Sequence, residues 1–118
     1  MIITDYLQPH DIKILFDNIK RAMSEKQSID VHLANAKNEL EVKKSEFQVA
    51  PGFAPAKNQA LQDLAYLAAY PAEYKRVFTL EQELKKIQNK LSELRETQTE
   101  YKYIIDYFQA AAYIPAQE

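Results

Sequence analysis

Five prolines divide this sequence into segments whose lengths restrict its fold severely. They stand at positions 9, 51, 55, 71 and 115, and none falls inside the two longest intervals. Proline lacks an amide hydrogen and its ring clashes with the preceding helical turn, so it limits helices rather than continuing them. The sequence therefore predicts two long helices, at about residues 10–50 and 72–113.

Both long segments repeat apolar residues every seven positions. In the first segment, Lys26 and Lys43 are the polar exceptions at the a and d positions, and in the second the exception is Gln98. The apolar seam positions are Ile12, Leu15, Ile19, Ala22, Ile29, Leu33, Ala36, Leu40, Phe47 and Ala50 in the first, and Val77, Leu80, Leu84, Ile87, Leu91, Leu94, Tyr101, Ile105, Phe108 and Ala112 in the second. Heptads sustained over this length are typical of helices packed as a left-handed supercoil.

The connection between the long segments is too short for a parallel pair. It contains a proline-rich turn at 51–55 and a stretch at 56–70 with leucines at helical spacing. We predict an all-α fold: a long antiparallel coiled-coil-like helical hairpin with a short third helix near the turn, in a single domain spanning 1–118. The short helix is expected to turn Ala60, Leu61, Leu64 and Leu67 inward.

The start of the second long helix has two interpretations. Thr79 and Gln82 have the spacing of a capping box, which would begin the helix at Leu80. The apolar repeat continues without interruption from Val77, which favours one continuous helix.

Counting along the two helices suggests a polar layer in the seam. If the two long helices meet around the turn and rise equally per residue, residue i of the first helix lies beside residue number 122 minus i, roughly, of the second. Lys26 then lies close to the level of Gln98. Polar residues at a positions often fix register and partner number. The alternative is that the Lys26 side chain extends to water along its aliphatic stem.

Composition argues against chemistry built on loops. The chain has one glycine, Gly52, and no cysteine, whereas average usage would give roughly eight glycines. Fifteen basic and seventeen acidic residues give a net charge of −2, which provides no footprint for nucleic acid. The N-terminal residues lack the basic region of a signal peptide, and no apolar run suits a membrane span. We expect a cytoplasmic protein that binds neither nucleic acid nor membrane.

Catalytic and metal-binding patterns are also missing from the sequence. The two histidines, His10 and His32, are too far apart on one helix to share a site. No Glu-x-x-His motif occurs, and no acidic residue occupies a seam position, as a metal-binding bundle would need. We expect a protein that is not an enzyme, with no catalytic, metal or cofactor-binding residues and no cofactor.

Tyrosine is the unusual feature of this composition. There are eight tyrosines and five phenylalanines without a tryptophan, and four of the tyrosines lie between 101 and 113. Tyrosine is enriched in binding surfaces because its ring buries area while its hydroxyl tolerates water. The candidate interaction surface off the seam consists of Tyr103, Ile104, Tyr107, Ala111 and Ile114. It fits three roles: packing under an N-terminal arm that contains Ile2, Ile3, Tyr6 and Leu7, self-association, or binding of a foreign protein.

A second aromatic group lies near the turn. Its members are Phe53, Tyr66, Tyr70 and Tyr74. Closing the core at this end of the hairpin is favoured over binding a partner, and both interpretations stay open.

These patterns predict a non-enzymatic protein–protein interaction module, an adaptor or an inhibitor-like protein of the size that a phage or mobile element encodes. Its partner would be a protein, either a second copy in a homodimer or a foreign chain. A structural subunit or chaperone of a larger assembly is the alternative, and an enzyme with an unfamiliar site is a weaker one. In general shape the chain resembles helical-hairpin adaptors, secretion substrates and chaperones, but shape alone assigns no function.

Overall fold

The computed structural model describes residues 2–113, with side-chain exposure to Ala111. A 3-10 helix at Ile3–Asp5 precedes three α-helices: α1 (Pro9–Val49), α2 (Gln59–Ala69) and α3 (Pro71–Tyr113). Helices α1 and α3 are antiparallel and pack against each other, which confirms the predicted all-α hairpin with a short helix near the turn. None of the helices in the described range is both long and apolar enough to cross a bilayer.

The helix ends follow local sequence signals. At the start of α1, the Asp11 carboxylate accepts a hydrogen bond from the Gln8 amide at 3.1 Å, and Pro9 occupies the first helical position, where it loses no hydrogen bond. At the start of α2, the Asn58 side-chain oxygen accepts from the Leu61 amide at 2.9 Å. Pro71 ends α2 and begins α3. Pro9, Pro51 and Pro71 therefore lie at helix limits that the sequence predicts.

Helix α3 is continuous through the possible capping box. It runs from Pro71 to Tyr113 without a break at Thr79 or Leu80. The prediction of one continuous helix is confirmed, and a start at Leu80 is wrong. The apolar repeat that begins at Val77 packs on α1, and this packing outweighs a local capping signal.

The chain packs as two compact units. The first contains the N-terminal part of the chain to Lys26 and the part of α3 from Ile87 onwards, and the second contains Gln27–Lys86. The buried apolar side chains of the first unit are Leu7, Leu15, Ile19, Ala22, Ile87 and Leu91, and those of the second are Leu33, Ala36, Leu40 and Tyr66. Apart from Leu7 and Tyr66, all are predicted seam residues. Ala50 is an exposed seam position because α1 ends at Val49.

The register of the pair differs from the one that counting predicts. Counting puts Glu39 beside Glu83 and Lys37 beside Lys85. In the second unit Arg76 Nη1 instead lies 2.7 Å from Glu39 Oε2, and Lys37 Nζ lies 3.8 Å from Glu81 Oε1. The counted register would have set like charges against each other, whereas the observed one, shifted by one to two turns, pairs opposite charges.

The orientation of α2 is the opposite of the predicted one. Leu61, Leu64 and Leu67 are exposed, and so is Ala60. The buried residue of this helix is Tyr66. The prediction that the leucines face inward is wrong, because Tyr66 packs on the end of α1 and the leucines lie on the other side of the helix.

Two matched substitutions test the seam and the orientation of α2 together. Leu40 in the seam is 6% exposed, and Leu64 on α2 is 60% exposed. Leu40→Ala should lower the free energy of unfolding by about 2–5 kcal/mol because it leaves a cavity. Leu64→Ala should change it by less than about 0.5 kcal/mol. Urea unfolding measures both, and equal losses would mean that the leucines of α2 are packed inward.

Candidate functional site

The N-terminal arm contacts the C-terminal part of α3 in the first unit. Leu7 is buried, and the ring centroids of Tyr6 and Phe108 are 5.8 Å apart. Phe108 also meets Tyr107 edge to face at 5.3 Å. Aromatic pairs in this range stabilise one another beyond the area that they bury. The arm is therefore held against α3 at Phe108.

The arm leaves most of the neighbouring tyrosine surface open. Tyr103 is 73% exposed and Tyr107 is 65% exposed, while Tyr6 itself is 53% exposed. These three side chains, with Ile104 and Phe108, line an open cavity of about 440 Å³. We call these five residues the aromatic surface. Its volume lies in the range of roughly 300–1,000 Å³ that is usual for ligand pockets.

The aromatic surface overlaps the surface that the sequence predicts but is not identical to it. The structure brings Tyr103, Ile104 and Tyr107 together, and Ala111 is exposed on the same helix without lining the cavity. Ile114 lies outside the described residues. The sequence pattern places Tyr6 in the N-terminal arm and Phe108 in the seam, so the predicted surface includes neither residue. The spacing of four residues between Ile104 and Phe108 could have shown that Phe108 reaches the edge of this surface.

The second predicted aromatic group lies near the end of α1 in the second unit. The Phe47 ring meets those of Phe53, Tyr66 and Tyr70 edge to face, with centroids 5.6, 5.5 and 6.2 Å apart. Tyr66 is 4% exposed, and Phe53, Tyr70 and Tyr74 are half-buried. The group joins the turn and all three helices of this unit, and packing occupies most of its surface.

Polar side chains complete this aromatic cluster. The Tyr66 hydroxyl accepts a hydrogen bond from Gln48 Nε2 at 2.6 Å. The Lys44 ammonium lies 5.5 Å from the centroid of the Tyr66 ring and 5.7 Å from that of Tyr74, and it is 3.3 Å from Glu41 Oε1. A cation this close to two aromatic faces is attracted to both. One lysine thus links residues of α1, α2 and α3.

The surroundings of Lys44 also change its acidity. Burial lowers the pKa of Lys44, but the hydrogen bond to Glu41 and the electrostatic interactions with Tyr74 and Glu41 more than offset this. The net effect raises the pKa above its ordinary value of 10.5. The ammonium form is therefore favoured in the folded chain.

An open polar cavity of about 530 Å³ adjoins the cluster. Residues of α1, the turn and α2 line it, including Ser45, Gln48, Pro55, Gln59 and Gln62. Gln62 Oε1 accepts a hydrogen bond from the Ala56 amide at 3.1 Å, which fixes the orientation of this side-chain amide. Gln62 Nε2 is buried and has no hydrogen-bond partner among the described residues.

The predicted polar layer is not formed as counting suggested. Lys26 and Gln98 are both half-buried. Gln98, however, lines a cavity with Leu15 and Phe16 of α1. Phe16 precedes Lys26 by ten residues, or about 15 Å along a helix. The structure therefore does not bring Lys26 and Gln98 together, in keeping with the shifted register in the second unit.

A second exposed apolar surface was not predicted. Leu61, Leu64 and Leu67 of α2 form what we call the leucine surface. Three leucines at a spacing of three residues lie on one side of a helix. Asp63 is also exposed on this helix. The leucine surface belongs to the second unit, and the aromatic surface belongs to the first.

Ligand-type side chains do not cluster in the described part of the chain. Within residues 2–113, no group of three or more histidine, aspartate or glutamate side chains could hold a metal ion, and His10 and His32 are both exposed. No family model, curated protein or solved structure matches the chain.

A hydroxyl deletion distinguishes the buried tyrosine from an exposed one. Tyr66→Phe removes the acceptor of the Gln48 hydrogen bond and should lower the free energy of unfolding by roughly 0.5–1.5 kcal/mol. Tyr103→Phe makes the same chemical change on an exposed ring and should have an effect below about 0.5 kcal/mol. Urea unfolding compares the two variants. A larger loss for Tyr103→Phe would contradict the assignment of Tyr66 as the structural residue.

The acidity of Lys44 gives a second test of the cluster. The pKa of Lys44 is higher in the folded chain than in the unfolded one, so its ammonium group stabilises the folded chain. This contribution is fully present below the unfolded pKa and is lost as the pH rises through the folded pKa. Glu41→Gln should lower the pKa of Lys44, as followed by the NMR shift of its Cε. Glu46→Gln is the control, because Glu46 lies 3.5 Å from Lys43 instead. An unchanged pKa in Glu41→Gln would rule out the proposed cause.

Proposed function

We propose that this chain is a non-enzymatic protein-interaction module that binds its partner through the aromatic surface. One observation carries the proposal: Tyr103 and Tyr107 are largely exposed beside an open cavity in which Tyr6, Ile104 and Phe108 complete the walls. Isolated exposed apolar residues are ordinary on protein surfaces. Three exposed tyrosines around one cavity are a contiguous patch and require an explanation of their own.

The area of this patch suits a contact with another protein. At about 200 Å² for each tyrosine, the exposed fractions of Tyr6, Tyr103 and Tyr107 together correspond to about 380 Å². The largest apolar patches on monomers, which are often functional, cover roughly 300–600 Å². Tyrosine hydroxyls keep such a patch compatible with water while the partner is absent.

The patch is also preorganised. Tyr103 and Tyr107 lie one turn apart on a continuous helix, and Phe108 packs between Tyr107 and Tyr6. A surface whose backbone is already fixed loses less conformational entropy on binding than a loop does. Helix α3 therefore presents anchor residues of the kind that dominate protein interfaces, where tyrosine is enriched.

The leucine surface favours a second candidate function, a subunit of a larger assembly. Leu61, Leu64 and Leu67 lie in a different unit from the aromatic surface. A chain with two separate apolar surfaces can contact two neighbours at once. An adaptor would contact its partner through the aromatic surface alone. A subunit of an assembly would have neighbours on both the aromatic surface and the leucine surface.

A photo-crosslinking experiment tests the proposal and separates these two functions. A photoreactive phenylalanine analogue replaces Tyr103, Leu64 or, as an exposed control on α3, Gln88. We expect covalent protein adducts from position 103 and none from position 88. Adducts from position 64 as well would indicate the assembly subunit.

The adduct then has to depend on the tyrosines themselves. A partner identified in this way is purified, and its binding to this chain is measured by calorimetry. If the partner is a second copy of the chain, its self-association is measured in the same way. Tyr103→Glu/Tyr107→Glu should weaken its binding at least about tenfold because two anchors become charged, while Leu61→Glu/Leu64→Glu should leave it unchanged. Equal affinity for the native chain and the tyrosine variant would contradict the proposal.

A further inference from the structure

We infer that the protein bound at the aromatic surface is a second copy of this chain, whose α3 packs antiparallel on the first about a two-fold axis near residues 104 and 105. This inference rests on the proposed function, since it names the partner of the same surface. It is carried by the arrangement of two tyrosines and two opposite charges on the exposed side of α3.

In the first unit, helix α3 has two sides that can pack against another helix. Tyr101, Ile105 and Phe108 lie on the side that packs on α1, and all three are half-buried. At 3.6 residues per turn, Tyr103 and Tyr107 lie on nearly the opposite side. A second helix can therefore pack on Tyr103 and Tyr107 without displacing α1.

The exposed side of α3 is self-complementary in one orientation. Tyr103 and Tyr107 are four residues apart, and so are Lys102 and Asp106, which are exposed along one edge of the same side. A two-fold axis between residues 104 and 105 brings Tyr103 of one copy to within one residue, about 1.5 Å along the helix, of the level of Tyr107 of the other. The same axis brings Lys102 of one copy equally near to Asp106 of the other, a distance that these side chains span, and symmetry repeats both contacts.

The charges distinguish this orientation from a parallel one. In a parallel two-fold pair, the edge of α3 that carries Lys102 and Asp106 would lie across from the opposite edge of the second copy, so these charges would not meet each other. The antiparallel pair instead sets the two charged edges side by side and gains two contacts between opposite charges, which steer such a pairing. Lys102 and Asp106 therefore favour the antiparallel direction and set its register.

The exposed area agrees with a symmetric pair. The three tyrosines of one copy expose about 380 Å², close to half of the roughly 800 Å² that each partner buries in a standard interface. In the two-fold pair each copy contributes the same tyrosines, so both partners bury an equal apolar area at the centre of the interface. Lys102 and Asp106 then form part of a polar rim, as is usual around such a centre.

A charge-reversal series tests the pairing. The dimer dissociation constant is measured by analytical ultracentrifugation for the full-length native chain, Lys102→Glu, Asp106→Lys and the double variant. Each single reversal should weaken the dimer at least about tenfold, because symmetry creates two like-charge contacts. The double variant restores opposite charges and should recover the native dissociation constant to within about threefold. Lys20→Glu, at an exposed position on α1, is the control and should leave it unchanged.

The outcomes separate this inference from the proposed function. Recovery in the double variant supports the antiparallel pair, provided that circular dichroism shows all variants to be equally helical. A native chain that stays monomeric at high concentration overturns the inference, but a tyrosine-dependent adduct with a foreign protein would then still support the proposed function. A dimer that none of the reversals affects overturns the assigned register and orientation.

Discussion

Burial of the heptad seam between α1 and α3 is the constraint on which the rest of the structure depends. With few exceptions, the buried residues of both units are seam residues such as Ile19, Leu33 and Leu91. Each buried aliphatic side chain contributes roughly 1.5–3 kcal/mol relative to its exposed state. Because the seam occupies one side of α3, the opposite side is left in solvent. The exposure of Tyr103 and Tyr107 therefore follows from where the seam lies.

The end of the second unit is closed by aromatic packing. Phe47 is a seam residue, and Tyr66 and Tyr70 pack edge to face on it where α3 has only just begun. This contact fixes the rotation of α2 about its own axis. Gln62 and Tyr66 lie on its inner side, and the leucine surface lies on the outer side. The exposure of the leucines is thus the cost of using Tyr66 as the closing residue.

The fold could be predicted from the sequence because prolines and heptads act over long ranges and agree with each other. The register could not be predicted from counting, since the length of the turn does not determine which turns of α1 and α3 meet. Opposite charges such as Glu39 and Arg76 carried that information. The leucines of α2 did not predict its orientation, because the packing of Tyr66 against Phe47 determines which side of the helix is buried. Tyr103 and Tyr107 were identified because they lie off the seam, but the contribution of Tyr6 depends on how the arm packs.

Distances between copies test the central claim most directly, because the chain has no cysteine and single labels can be placed freely. Thr99 and Ser92 are exposed and lie seven residues apart on the same side of α3. Spin labels at Thr99→Cys and Ser92→Cys would be measured by pulsed electron paramagnetic resonance. Antiparallel pairing about an axis near residues 104 and 105 lengthens the separation along the helices by about 3 Å per residue. With the lateral separation of the two helices included, the distance at Ser92 should exceed that at Thr99 by roughly 15–20 Å. Equal distances at the two positions, or no distance between copies at either, would contradict the antiparallel pairing.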